Sequence, residues 1–301
     1  MSDPAQHEDT AYDAIIEEND HSRWAFGTGF ADALAGVDTT VPAGIDGACL
    51  AEYCLMLGDD ALIMSHRLQE WVARSPELEE ETALANIALD LLGQARMLLA
   101  RAGRADGSDR DEDAFAFGRE PAEFRNVALV EPPDDDFADA AARLLVFATW
   151  RLALLTRLRG SLDPVLAAIA AKGATELTYH RDYAAQWVVR LGDGTPESCQ
   201  RMTRALRKVG PYLPELFEAT PAEGELATAG VAVNPAELRV EVSAVLDEVL
   251  TAAALSRDDL AEIAPMATIS ARSSRERHTE HFAPLVTELQ SVARALPDAT
   301  W

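Results

Sequence analysis

The stretch from Ser75 to Gly103, SPELEEETALANIALDLLGQARMLLARAG, limits what this chain can become more than any other. Apolar residues recur at threes and fours along it, the period of a helix with a buried side. Asn86, Asp90 and Gly93 keep the same spacing, so they line up along one side of that helix. A long helix with an apolar side does not stand alone in water. It needs other helices around it, and polar groups on its packed side need partners there.

The rest of the chain supplies those helices. Leu50, Cys54, Leu57, Ala61, Met64, Leu68 and Trp71 predict a first helix from Ala48 to Arg74. Four later helix starts pair a capping residue with a proline in the first helical position: Ser75-Pro76, Asp163-Pro164, Thr195-Pro196 and Asn234-Pro235. Gly103, Gly160 and Gly192 stand where C-terminal caps belong. The run Asp134-Asp135-Asp136 suits the positive end of a helix that continues to Arg159. A last helix is expected from about His278 to Leu296, stopped by Pro297. The main helices are about 25 residues each, roughly 35–40 Å long at 1.5 Å per residue. Joined by short turns, they make an all-α, up-and-down bundle over residues 45–301. Residues 1–44 are expected to form an acidic, loosely ordered leader, with a short helix near Tyr12 to Glu18. An acidic linker (Ala105 to Asp113), the segment EFRNVALVE with a candidate short strand at VALV, and a Gly/Ala-rich loop from Glu223 to Val233 lie between the helices.

Composition narrows the partners. The formal net charge is −25, and Lys172 and Lys208 are the only lysines. A surface this anionic argues against nucleic acid and anionic membrane, and it suits solubility in high salt. Cys49, Cys54 and Cys199 form no CxxC pair, as expected of a reducing compartment. The most apolar run, Leu144 to Leu155, is short and interrupted by Arg151, so no membrane span is expected and the cytoplasm is the expected location.

A helix that offers Glu and, three residues later, His is half of a di-iron bundle site. Here the corresponding pair is Asp90 and Gly93, and the one E-x-x-H, Glu18 to His21, lies in the leader. The bundle offers Glu52, Asp59, Asp60, His66 and Glu70, then Asn86 and Asp90, then Glu176 and His180, while the helix from Phe137 to Arg159 has no interior carboxylate or histidine. That set is short of two irons' needs, so neither a metal site nor a catalytic residue is expected in this chain. Lys172, Glu176 and His180 follow at i, i+4, and with Asp90 they read as a polar network inside the bundle in which the ammonium takes the place of a cation. The segment RSSRERHTEH (Arg272 to His281) is the basic exception. Arg272, Arg275, Arg277 and His278 are candidates for a phosphate or an acidic partner, and His278 with His281 is a weak metal pair.

At these residues the chain resembles a known family. The blocks from Tyr53 to Gly103, from Glu123 (EFRNVALVEPPDDDFADAAARLL), from Ala167 (AAIAAKGATELTYHRDYAAQWVVRLGDGT) and from Arg277 (RHTEHFAPLVTELQSVARALPDATW) are similar to the PaaC family of ring-1,2-phenylacetyl-CoA epoxidase components. The resemblance covers residues 48 to 301. It implies a ferritin-like fold and a non-catalytic, structural role in aerobic phenylacetate degradation. The partner it implies is a homologous di-iron oxygenase subunit (PaaA-like), with a reductase carrying FAD and iron–sulfur. The family's third helix often shows Trp-His where this chain has Trp150-Arg151. Two rivals remain: an autonomous metalloenzyme using Asp90, Glu176, His180, Glu52 or His66, and a coenzyme A thioester-binding module using Arg272, Arg275 and Arg277.

Overall fold

Capping chemistry sets where most of the helices begin. In the computed structural model, which describes residues 34–260, 275, 277–297 and 299, Asp163 accepts a hydrogen bond from the Leu166 N–H and Thr195 one from Ser198. Asp136 and Asp139 close a reciprocal capping box. Among the described residues ten α-helices follow in order: α1 (Gly47–Gln69), α2 (Leu78–Ala105), α3 (Glu112–Phe117), α4 (Phe137–Leu158), α5 (Pro164–Gly192), α6 (Pro196–Val209), α7 (Pro221–Thr228), α8 (Arg239–Ala252), α9 (Phe282–Leu289) and α10 (Ser291–Ala295). Among the described residues there is no strand, so the fold is all-α.

Some local expectations change. Ser75-Pro76 does not cap α2: the Ser75 hydroxyl bonds back to the Trp71 carbonyl, and the helix starts two residues later behind Glu77. Gly103 is no cap either. It lies inside α2, where a Cβ would meet the Arg110 carbonyl oxygen at 2.0 Å. Part of the expected loop from Glu223 is helical, because Thr220 and Glu223 form a capping box around Pro221. VALV makes a single 3-10 turn, and the last expected helix begins at Phe282 and is divided by Gln290. Asn234-Pro235 opens a 3-10 turn that leads into α8. The described residues from Gly36 onward form one compact unit. The expected leader helix near Tyr12 lies outside the described residues.

Four long helices build the core, and their contacts fix its topology. α1 and α2 are antiparallel neighbours: Gly47 packs against Ala105 at one end, and Ser65 bonds the Ala88 carbonyl towards the other. Along α2 and α5, Glu80 meets Tyr183 and Trp187, Asp90 meets His180, Gln94 meets Glu176 and Arg101 meets Asp163. The two numberings run in opposite senses, so α2 and α5 are antiparallel too. α4 starts beside Trp187, with ring centroids 4.8 Å apart for Phe137 and Trp187, and brings Leu155 against Gly173 of α5. α2 and α4 are therefore parallel, and residues 106–136 cross the length of the bundle between them. Two helical hairpins joined by one long crossover are the ferritin-like arrangement.

The crossover is held by charge. Asp59 of α1 pairs with Arg119 and accepts the Arg125 N–H at 2.8 Å. Asp60 accepts the Val127 N–H at 2.8 Å and pairs with Arg275 at 3.1 Å. The Glu131 carboxylate receives His278 at 2.7 Å, and Gln290 reaches the Arg119 carbonyl at 2.8 Å, so the C-terminal segment lies over the connector. These groups are almost fully buried, and removing one partner strands a charge. Asp59→Ala is expected to lower the unfolding free energy by about 3–5 kcal/mol, measured by denaturant titration against the parent chain.

Candidate functional site

The centre of the bundle is where a ferritin-like fold places its chemistry, and here it is occupied by an arginine. Arg151 of α4 is 0% exposed. Its Nε donates to Gln94 Oε1 of α2 at 3.0 Å, and its Nη1 donates to the Leu57 carbonyl of α1 at 3.1 Å. Gln94 Nε2 donates in turn to Glu176 Oε2 of α5 at 2.9 Å. One chain of hydrogen bonds thus touches all four long helices. Gly173 makes room for it, since a Cβ there would lie 3.1 Å from the Gln94 amide carbon. Burial lowers the Arg151 pKa to about 10, with Asp60 opposing the shift, so the guanidinium stays cationic at neutral pH.

The predicted polar cluster is divided: Glu176 belongs to the central chain, while Asp90, Lys172 and His180 lie beside it along the α2–α5 seam. Lys172 pairs with Glu176, and His180 Nε2 lies 3.0 Å from Asp90 Oδ2. Lys172 does not reach Asp90 as expected: its side chain is 38% exposed and that of Asp90 is 42% exposed. Asp90 and His180 form a rung of the α2–α5 seam with His180 buried, Lys172 sits at its partly exposed edge, and the cation at the centre of the four helices is Arg151. Asn86 is exposed and Gly93 half-buried, so the polar residues on the packed side of α2 are Gln94 and Arg101, the latter paired with Asp163.

Arg275 also departs from expectation. It is buried against Asp60 and the Arg125 carbonyl and so presents nothing to a phosphate. Arg277 is exposed, His278 is engaged with Glu131 and stacked on Phe282, and Arg272 lies outside the described residues. Glu215, which no motif in the sequence marks, accepts the Ala128 N–H at 3.0 Å beneath the connector. Burial pushes its carboxyl up to about 8, against the pull of Arg275.

Two carboxylate-bridged irons need four carboxylates and two imidazoles converging from the four helices. The donor set here does not fit them. Of the candidates, Glu52 is exposed, His66 lies near Glu70 and Glu288, and His180 faces the seam. Among the described residues no three His, Cys, Asp or Glu side chains are grouped to hold a metal. A permanent cation at the centre would also repel a divalent ion. A cleft of ≈ 290 Å³ lies apart from this centre, between the connector and α6. There Lys208 bridges Asp135 at 2.6 Å and Asp139 at 2.7 Å, so its charge is already matched.

These features define a ferritin-like bundle whose centre is tied by an arginine–amide–carboxylate chain. Residues 35–301 match the family described as phenylacetic acid catabolic protein. The chain is also similar to the C component of 1,2-phenylacetyl-CoA epoxidase, one of that enzyme's subunits, from Escherichia coli (strain K12). The two are 41% identical over 252 residues, covering 84% of this chain and 99% of that relative. The chain belongs to the phenylacetic acid catabolic protein family.

Three outcomes follow for the charged groups. Arg151→Met leaves Gln94 Oε1 and the Leu57 carbonyl without their donor and is expected to cost about 1–3 kcal/mol for each acceptor left buried. Lys172→Met removes a partly solvated pair and should cost no more than about 1 kcal/mol; paired thermal melts compare the two. Glu215 binds its proton more tightly in the folded state, about 8 against 4.5. Its contribution is therefore full below 4.5 and is lost as pH rises through about 8. Stability measured across that window should fall less steeply in Glu215→Gln than in the parent.

Proposed function

We propose that this protein is a structural, non-catalytic subunit of a phenylacetyl-CoA 1,2-epoxidase complex, supporting a homologous di-iron oxygenase subunit in aerobic phenylacetate breakdown. The observation that carries the reading is Arg151. Where a catalytic bundle gathers carboxylates and imidazoles, this one gathers a guanidinium, an amide and a single carboxylate. The name of the Escherichia coli relative, a subunit of an epoxidase, supports a role inside a larger assembly. On this reading the chain has no active site of its own, and the iron, flavin and iron–sulfur groups belong to its partners.

Chemically, the chain's work is to present a rigid surface. Its buried acids hold its own connector, and its central cation holds its own helices. The rival of an autonomous metalloenzyme would draw on Asp90, Glu176, His180, Glu52 or His66; Asp90 and His180 meet on the α2–α5 seam, but Glu52 is exposed and, among the described residues, no third His, Cys, Asp or Glu joins a pair to hold a metal. The test uses the purified chain with and without a co-expressed di-iron oxygenase subunit. The expected result is co-purification of the two, with iron following the oxygenase subunit and less than about 0.1 iron per copy of this chain alone. Stoichiometric iron in the lone chain, or oxygen-dependent turnover of a thioester by it, would overturn the proposal.

A further inference from the structure

Buried charge is densest around the connector turn Ala128–Val130, whose three residues are themselves buried. Asp60 comes to this place from α1, Glu131 from the connector and Arg275 from the C-terminal segment. Glu215 comes from the 3-10 turn Pro214–Phe217, which α4 anchors by donating the Trp150 indole N–H to the Leu216 carbonyl at 2.9 Å. Tyr212 lies within electrostatic reach of Glu215, Glu131 and Arg143, and Glu223 of α7 within reach of Arg275. The cations are already committed. Arg275 pairs with Asp60 at 3.1 Å, His278 meets Glu131 at 2.7 Å, and Arg151, which also acts on Asp60, bonds Gln94 and the Leu57 carbonyl. Glu223 caps α7 through the Thr220 N–H at 2.8 Å. Glu215 is 8% exposed and forms no ion pair among the described residues. Both its oxygens share one donor, the Ala128 N–H, at 3.0 and 3.2 Å. A buried carboxyl with acids for neighbours and no cation of its own retains its proton.

We propose that the proton on Glu215 latches the connector to the C-terminal segment, and that the seam between them opens to water when this proton is lost. Ionised, Glu215 either draws Arg275 away from Asp60 or takes up water, and both outcomes loosen the place where three parts of the chain meet. The opening is local, because the bonds from Gln94 to Glu176 and from Asp90 to His180 that tie α2 to α5 use none of these groups. Its direction follows from linkage. Burial holds the Glu215 carboxyl at about 8 in the closed molecule, against an ordinary value of 4.5 in an open one. Opening therefore grows easier as pH rises from 4.5 to about 8 and levels off beyond it. That window includes neutral pH. The latch is a property of this chain alone and stands apart from the subunit reading.

The experiment is amide hydrogen exchange by mass spectrometry on the full chain, wild type against Glu215→Gln, an uncharged mimic of the protonated side chain. Rates are compared at the same pH, so the intrinsic pH dependence of exchange cancels. One linked proton changes an opening equilibrium by at most about tenfold per pH unit. The expected result is a wild-type to Glu215→Gln rate ratio that rises at least about 10-fold between about pH 6 and about pH 8 in residues 124–131 and 278–290, and stays constant in residues 174–188 of α5. A ratio that is flat with pH at the seam overturns the proposal. An equal rise in α5 also overturns it, since the proton would then govern unfolding of the whole bundle. If Glu215→Gln does not fold, wild-type protection factors of residues 124–131 relative to residues 174–188 give the same two readings.

Discussion

The bundle turns on one buried cation. Arg151 enters the centre from α4 and reaches α2 and α1 directly and α5 through Gln94, so three interfaces share its charge. A buried guanidinium without partners costs several kcal/mol; here Nε and Nη1 meet acceptors and the Asp60 charge lies near, while Nη2 is left without a hydrogen-bond partner. The position of every long helix is thereby tied to the others by polar geometry as well as by apolar packing. A bundle held by leucine and alanine alone tolerates small rotations of its helices; a bundle with a directed hydrogen-bond chain through its middle does not.

The acids of α1 show the same economy. Asp59 and Asp60 lie on the helix that a metal-binding bundle would use for ligands, but they point to the connector, where two backbone N–H groups and two guanidiniums meet them. Glu131 is likewise filled by His278 and the Thr279 N–H.

Much of the fold was legible because it rests on local rules. Asp163-Pro164 and Thr195-Pro196 start helices, and the acidic run before Phe137 caps α4, since capping needs only a few neighbouring residues. The long helices followed from their period. Ser75-Pro76 failed because a tertiary turn at Trp71 claimed the serine hydroxyl. The centre was harder. Asp90, Lys172, Glu176 and His180 share helical spacing, and spacing on one helix cannot tell a core face from a seam beside a second helix. Arg151 was visible as the one charge breaking the run from Leu144 to Leu155, and that interruption was the available signal. Gln94, Glu215 and the pairing of Asp60 with Arg275 link residues up to 215 positions apart, which no single-chain periodicity encodes.

The crossover has a further consequence, for how the chain reaches this shape. α1 and α2 are separated by residues 70–77, and α4 and α5 by residues 159–163, so each hairpin closes a short loop. Bringing the hairpins together closes a loop that includes all of residues 106–136. Local closures are fast, and distant ones wait for enough contacts to offset their entropy. The two hairpins are thus natural early modules. The step that unites them is the one in which the connector's N–H groups find Asp59 and Asp60 and the guanidinium finds Gln94, so the same polar groups that brace the finished molecule also select the correct pairing of its halves.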